Sequence, residues 1–252
     1  MKKLRNLFIA LFLVVCVVSL VGCKKKTNDP KEVTAVGYGL VHKDYVGIAT
    51  VTVKEKVVTA ASFEEVYLPT HWAALTSVEG VDEALYVSYA GKRGTVNVAK
   101  YIVVGDKTFT ATASESDAVY SAEGIADLKA WVQASEENAK WYAEALLAGN
   151  AKAVDAAGTK VTFEITSDKE GGFKKSTTGY WSGENYPLGW KGNMEALAKA
   201  LVGTKMDATD ANIVKDEATK TWKFGDVQST ATLTDAKDYY AIAKKAYDKA
   251  IA

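Results

Sequence analysis

From position 46 onward hydrophobic and polar residues alternate. Val46 to Val53 reads Val-Gly-Ile-Ala-Thr-Val-Thr-Val, Lys54-Glu55-Lys56 interrupts it, and Val57 to Phe63 resumes the alternation. Period-two patterning rich in β-branched residues predicts an antiparallel hairpin over 46–63. A second hairpin is predicted over Thr95 to Thr112, with arms 96–104 and 108–112 and its turn at Gly105-Asp106. The period then lengthens: Ile125, Leu128, Val132, Ala139, Tyr142 and Leu146 share one face of a helix over 125–147, stopped by Gly149-Asn150. A strand is expected at 160–166 and a helix opened by Asn193 and ended by Gly203. A brief strand at Trp222-Lys223-Phe224 precedes a last helix from about Asp235, with Leu233, Ala236, Tyr240, Ala243, Tyr247 and Ile251 along one side. Strands and helices mix without regular βαβ alternation, so the predicted class is α+β, an antiparallel sheet of hairpins packed against a few helices.

The N-terminus follows another pattern. Lys2, Lys3 and Arg5 precede an apolar run from Leu7 to Val18 and then Leu20-Val21-Gly22-Cys23. A basic head, a short apolar run and small residues before a cut site predict a secretory signal over 1–22, and the run is too short for a comfortable membrane span. Leu-Val-Gly-Cys resembles the bacterial lipobox, which implies acylation of Cys23 and anchoring by lipid at the extracytoplasmic face of the cell membrane. Residues 23–33, polar and containing Pro30, are expected to form a flexible stalk, and 34–252 the folded part.

Charge and cysteine content narrow the chemistry. Removal of the signal takes away three cations and leaves 28 Lys and Arg against 31 Asp and Glu, a balance of −3 that offers no footprint for nucleic acid. Cys16 departs with the signal and Cys23 would be acylated, so neither a disulfide nor a free thiol is expected. With only His42 and His71 besides, no metal site is expected. Any redox chemistry must come from an organic cofactor. No phosphate-cradling glycine loop and no nucleophile elbow is found.

Asp226-Val227-Gln228-Ser229-Thr230-Ala231-Thr232 is the most specific stretch, a run of hydroxyls just ahead of the last helix. Unpaired N–H groups at a helix entrance suit a phosphate. The heptapeptide resembles the flavinylation motif of the FMN-binding domain family: Asp, two variable residues, Ser or Thr, a small residue, Ala and Thr. The resemblance implies that Thr232 carries FMN through a phosphoester installed by a flavin transferase, with Asp226 and Ser229 positioning the acceptor segment and Ala231 allowing close approach. Thr230 departs from the glycine that many members carry there, and its branched Cβ restricts the backbone. The Gly47–Val53 alternation also resembles the opening of that family. The resemblance further implies one FMN-binding-like domain with a long central insertion, or else two tandem modules over about 34–155 and 156–252. Asp117-Ala118-Val119-Tyr120-Ser121-Ala122-Glu123 echoes the heptapeptide but ends in Glu, which has no hydroxyl to esterify.

A second conspicuous stretch, Thr178 to Trp190, interleaves four aromatics with glycines and Pro187. Tyr180, Trp181, Tyr186 or Trp190 either stacks on a flat ring, as a cofactor wall, or fills the core; His71-Trp72 is a further candidate for the same cleft. Together these readings predict an extracytoplasmic electron carrier. By resemblance its partners are the flavin transferase, a membrane quinone-linked oxidoreductase as donor and extracellular acceptors. The alternative is a lipoprotein that binds a small ligand without a redox cofactor.

Overall fold

The computed structural model describes residues 30–161, 173–178, 181 and 187–252. The signal, Cys23, most of the stalk, positions 162–166 of the expected strand, Tyr180 and Tyr186 lie outside the described residues. Residues 31–252 form one compact unit. It opens on an antiparallel meander, β1 (Val33–Val41), β2 (Tyr45–Lys54) and β3 (Val57–Tyr67), in the order β1-β2-β3. The first predicted hairpin is β2–β3. Its two-residue turn places Glu55 and Lys56 at φ 52° and 63°, the mirror-image twist that suits tight hairpins.

The alternation did not predict β1, which begins at Val33, inside the expected stalk. Gly37 and Gly39 break its apolar pattern, and strands disfavour glycine. The last helix, α5 (Ala236–Ile251), supplies the reason for them. A Cβ on Gly37 would lie 2.0 Å from the Ile242 carbonyl oxygen, and one on Gly39 2.9 Å from Ile242 Cγ2, so helix and sheet approach too closely for side chains. On the other face of β1, the Tyr38 N–H donates to Glu136 at 2.8 Å and the Tyr38 hydroxyl donates to Glu144 at 3.5 Å. Both acids belong to α3 (Glu136–Leu147). The meander therefore has a helix on each face, and its middle strand is buried almost throughout.

The chain continues through a single helical turn, α1 (Pro69–Trp72), into two small sheets. One holds β4 (Ala74–Leu75), β5 (Tyr86–Gly91) and β6 (Gly94–Ala99), in the order β4-β6-β5. The other holds β7 (Tyr101–Val104), β8 (Lys107–Ala113), β9 (Ala118–Ser121) and β10 (Ala151–Val154), in the order β10-β7-β8-β9. The second predicted hairpin has its turn at Gly105-Asp106, as expected, but its first arm is broken at Lys100. Residues before the break pair with β5 and those after it with β8. Local alternation reads the same on either side of such a change of partner.

The single helix expected over 125–147 is two helices, α2 (Leu128–Ala134) and α3. Ser135 takes an extended conformation between them, and its Oγ accepts from the Asn138 N–H at 3.1 Å, the bond of an N-cap. Gly149, at φ 73°, terminates α3 as expected. The C-terminal third comprises α4 (Gly189–Leu201), the three-stranded sheet β11 (Ile213–Lys215), β12 (Trp222–Phe224) and β13 (Val227–Gln228), and α5. α4 starts four residues earlier than predicted, so Asn193 lies inside the helix and does not cap it. Every strand pairing among the described residues is antiparallel, and the molecule is mixed α and β, consistent with α+β. Among the described residues no helix is long and apolar enough to cross a membrane.

Candidate functional site

The heptapeptide leaves the β12–β13 hairpin in an extended conformation. Ser229, Ala231 and Leu233 are buried while Thr230, Thr232 and Thr234 are exposed, so burial alternates residue by residue. Ser229 anchors the inner side: its N–H donates to the Trp222 carbonyl at 2.8 Å, and its Oγ accepts from the Ala231 N–H at 3.0 Å. Ala231 has no exposed surface, leaving no room there for a larger side chain.

The side chain that holds Thr232 comes from elsewhere. Asn193, fully buried on α4, accepts through Oδ1 from the N–H groups of Thr232 at 2.7 Å and Leu233 at 3.0 Å. Its Nδ2 donates to the Gly189 carbonyl at 2.6 Å, which fixes the amide's orientation. The Leu233 carbonyl accepts from Trp222 Nε1 at 2.7 Å, and Lys215 Nζ lies 3.4 Å and 3.3 Å from the carbonyls of Thr232 and Leu233. The peptide groups around Thr232 are thus held on both sides. Among the described residues the Thr232 hydroxyl makes only a long contact, 3.5 Å, to Asn193 Oδ1, and the residue is exposed.

It faces a cleft of about 380 Å³. Thr232 shares the lining with His42 from the β1–β2 turn, Arg93 from the β5–β6 turn, Lys175 from a 3₁₀ turn at Lys175–Thr177, Trp181, and Tyr239 from the first turn of α5. Five segments besides that of Thr232 therefore contribute to the lining. His42, at φ 48°, pairs through Nδ1 with Asp235, and its backbone N–H donates to Asp238 Oδ2 at 3.0 Å. Burial pushes the Asp238 carboxyl above the usual carboxylate range, with the Asp235 charge adding to the shift and the His42 N–H opposing it.

Behind the cleft lies a buried ionic network. Glu65 on β3 has no exposed surface and accepts from Lys175 Nζ at 2.8 Å, Trp190 Nε1 at 2.6 Å and the Tyr239 hydroxyl at 2.5 Å. Lys175 Nζ also sits 3.7 Å from the centre of the Tyr45 ring, a cation–π contact in a desolvated place. Burial lowers the Lys175 ammonium below its ordinary value, and the Glu65 charge opposes that. Burial, reinforced by Glu65, holds the Tyr239 phenol far above its usual range. Replacing such a pair with apolar residues is often neutral or stabilising, so burial of both charges is weak evidence for a purely structural role.

The structure brings together some of the predicted residues and separates others. Thr232 and Trp181 line the cleft; Trp190 is turned into the interior against Glu65. Asp226 is exposed on the β12–β13 turn and lines a different cavity of about 220 Å³ with Asp207 and Tyr240. Thr230 is exposed beside Ala231. Thr232 lies four residues ahead of Ala236, one more than the predicted start at about Asp235 implies, and Asp235 at the helix entrance makes no side-chain capping bond. His71 packs on Tyr45, with ring centres 5.2 Å apart, and Trp72 is buried with Nε1 donating to the Tyr142 hydroxyl at 3.0 Å. The sequence marks Asn193 only as the opening of a helix, and it does not mark Glu65, Lys175 or Arg93. The one available signal was Asn193, since asparagine is disfavoured inside a helix unless its amide has work elsewhere. Among the described residues no cluster of three or more His, Cys, Asp or Glu could hold a metal ion. No protein-family profile, curated protein or solved structure matches this chain.

Proposed function

We propose that this protein is a lipid-anchored extracytoplasmic flavoprotein that carries electrons on FMN linked covalently to Thr232. The observation that carries the reading is exposed Thr232, on a backbone immobilised by Asn193, at the edge of a roughly 380 Å³ cleft that Arg93, Lys175 and His42 also line. Pockets of about 300–1,000 Å³ are the ordinary size for cofactors. Arg93 and Lys175 suit a phosphate ester and the negative charge that a flavin ring takes on when reduced, His42 offers a hydrogen-bonding ring nitrogen, and Trp181 a flat apolar wall.

When bound, FMN supplies one- and two-electron transfer, which none of the side chains here provides. The chain itself does the rest. Asn193, Ser229 and Lys215 hold the acceptor segment, Ala231 keeps its inner side close to the core, and the cations offset the phosphate charge. A covalent link keeps the cofactor from diffusing away outside the cell. In this reading Cys23 places the molecule at the membrane surface, a quinone-linked membrane oxidoreductase is the donor and extracellular species are the acceptors.

The test is direct. The full chain, exported from a host that also makes a flavin transferase, is purified and its intact mass measured. The expected result is a yellow protein heavier by one FMN moiety, with Thr232→Ala at the unmodified mass. An unmodified parent beside a transferase active on a control protein would overturn the reading.

A further inference from the structure

Lys175 and Glu65 are more than neighbours of the cleft. Lys175 is among the residues that line it, whereas Glu65 has no exposed surface and is not, so the cation is the member of the pair that borders the cleft. Three donors converge on Glu65, from a 3₁₀ turn, α4 and α5. Such convergence fixes the carboxylate, which in turn fixes the ammonium. The Lys175 side chain is 5% exposed, so solvent screens its field far less than it screens exposed Arg93. Coulomb energy falls with distance, so for any occupant of the cleft the nearer cation outweighs the farther carboxylate.

We propose that Lys175, oriented by Glu65, is the residue that makes the cleft favour the reduced, more negative state of its cofactor. The proposal rests on the flavoprotein reading above. In a redox titration two electrons come from the electrode and one proton from water. No bond to the protein forms or breaks, and the charge left in the cleft is one unit more negative. A buried cation lowers the free energy of that added charge and so raises the midpoint potential.

Removing Lys175 alone would leave Glu65 buried without its counter-ion, so the variant of choice is Lys175→Met with Glu65→Gln. This pair is neutral overall and keeps an acceptor for Trp190 and Tyr239. Parent, double variant and Lys92→Ala are loaded with FMN and titrated spectroelectrochemically, with far-UV circular dichroism to verify folding. The expected result is a reduction equilibrium at least tenfold less favourable in the double variant, a midpoint lower by about 30 mV for a two-electron couple. Lys92→Ala, which removes an exposed cation that is not among the lining residues, should shift the equilibrium by less than threefold. If the folded double variant keeps the parent's midpoint or rises above it, the inference fails while the flavoprotein reading stands. If the double variant does not fold, Lys175→Arg decides: the conservative cation must keep the parent's midpoint to within threefold. An unmodified parent sinks the reading itself.

Discussion

Two strand-to-helix junctions in this molecule have similar sequences and opposite structures. At the first, Asp117 to Glu123, the chain pairs as β9, Tyr120 is buried with its hydroxyl donating to the Ala99 carbonyl at 2.7 Å, and Ala122 pairs with Ile125 in a tight turn. Asp127 then caps the start of α2, accepting from the N–H groups of Lys129 at 2.8 Å and Ala130 at 3.2 Å. The space beside it is about 40 Å³. At the second, Asp226 to Thr232, no residue caps α5 through its side chain; Asp235 is engaged by His42 instead. The N–H groups of Thr232 and Leu233, which precede the helix, are satisfied from a distance by Asn193, and the cleft beside them is nearly ten times larger. A local cap consumes the donors it satisfies and seals the junction. A remote amide satisfies them from behind and leaves the front open. A hydroxyl ahead of a helix is therefore not enough for a site; what matters is who holds the backbone.

The largest effect that would sharpen this contrast is covalent. Thr232→Ala should abolish the FMN mass increment, whereas Glu123→Thr, which completes the hydroxyl pattern of the first junction, should add none. A second increment in Glu123→Thr would show that pattern alone suffices and break the comparison.

Next comes Asn193→Ala. It strands the buried N–H of Leu233 and the partly buried N–H of Thr232; an orphaned buried group costs about 1–3 kcal/mol, so a loss of roughly 2 kcal/mol is expected in urea unfolding. Modification at Thr232 should slow as well, because the acceptor backbone loses its fixed position.

The two helix entrances can be set against each other. Asp127→Ala removes a cap with two bonds and should cost about 1 kcal/mol. Asp235→Ala removes only a contact with half-exposed His42 and should cost roughly 0.5 kcal/mol or less. Equal losses in chemical denaturation would mean that Asp235 caps α5 in solution.

Asp238→Asn gives the smallest shift, and its sign follows from burial. A carboxyl whose folded value is raised loses stability when it ionises, so the parent is penalised at neutral pH and relieved as pH falls through that raised value. The neutral Asn can still accept from the His42 N–H. Its urea midpoint should lie slightly above the parent's at pH 7 and converge with it in acid. A variant less stable than the parent at pH 7 would overturn the assignment.

Much of the frame was legible where one period governs one partner. The β2–β3 hairpin, the turn at Gly105-Asp106, the stop at Gly149, β12 and α5 all follow from patterning and turn chemistry that act over a few residues. Failures came where tertiary partners decide. β1 was hidden because Gly37 and Gly39 answer to Ile242, about two hundred residues away in sequence. The long arm 96–104 was divided because its halves join different sheets. Helix 125–147 was split by the extended backbone of Ser135.

The site divides in the same way. The heptapeptide, its hydroxyls and its place just before the terminal helix could be named from the chain alone, because a motif is a local fact. That Thr232 is exposed while Ser229 and Ala231 are buried, that an amide on α4 holds its backbone, and that Lys175 and Glu65 stand behind the cleft could not. Those facts depend on α4, α5, β3 and three turns closing together, and a buried polar group shows its purpose only when its hydrogen-bond partners arrive from other parts of the fold.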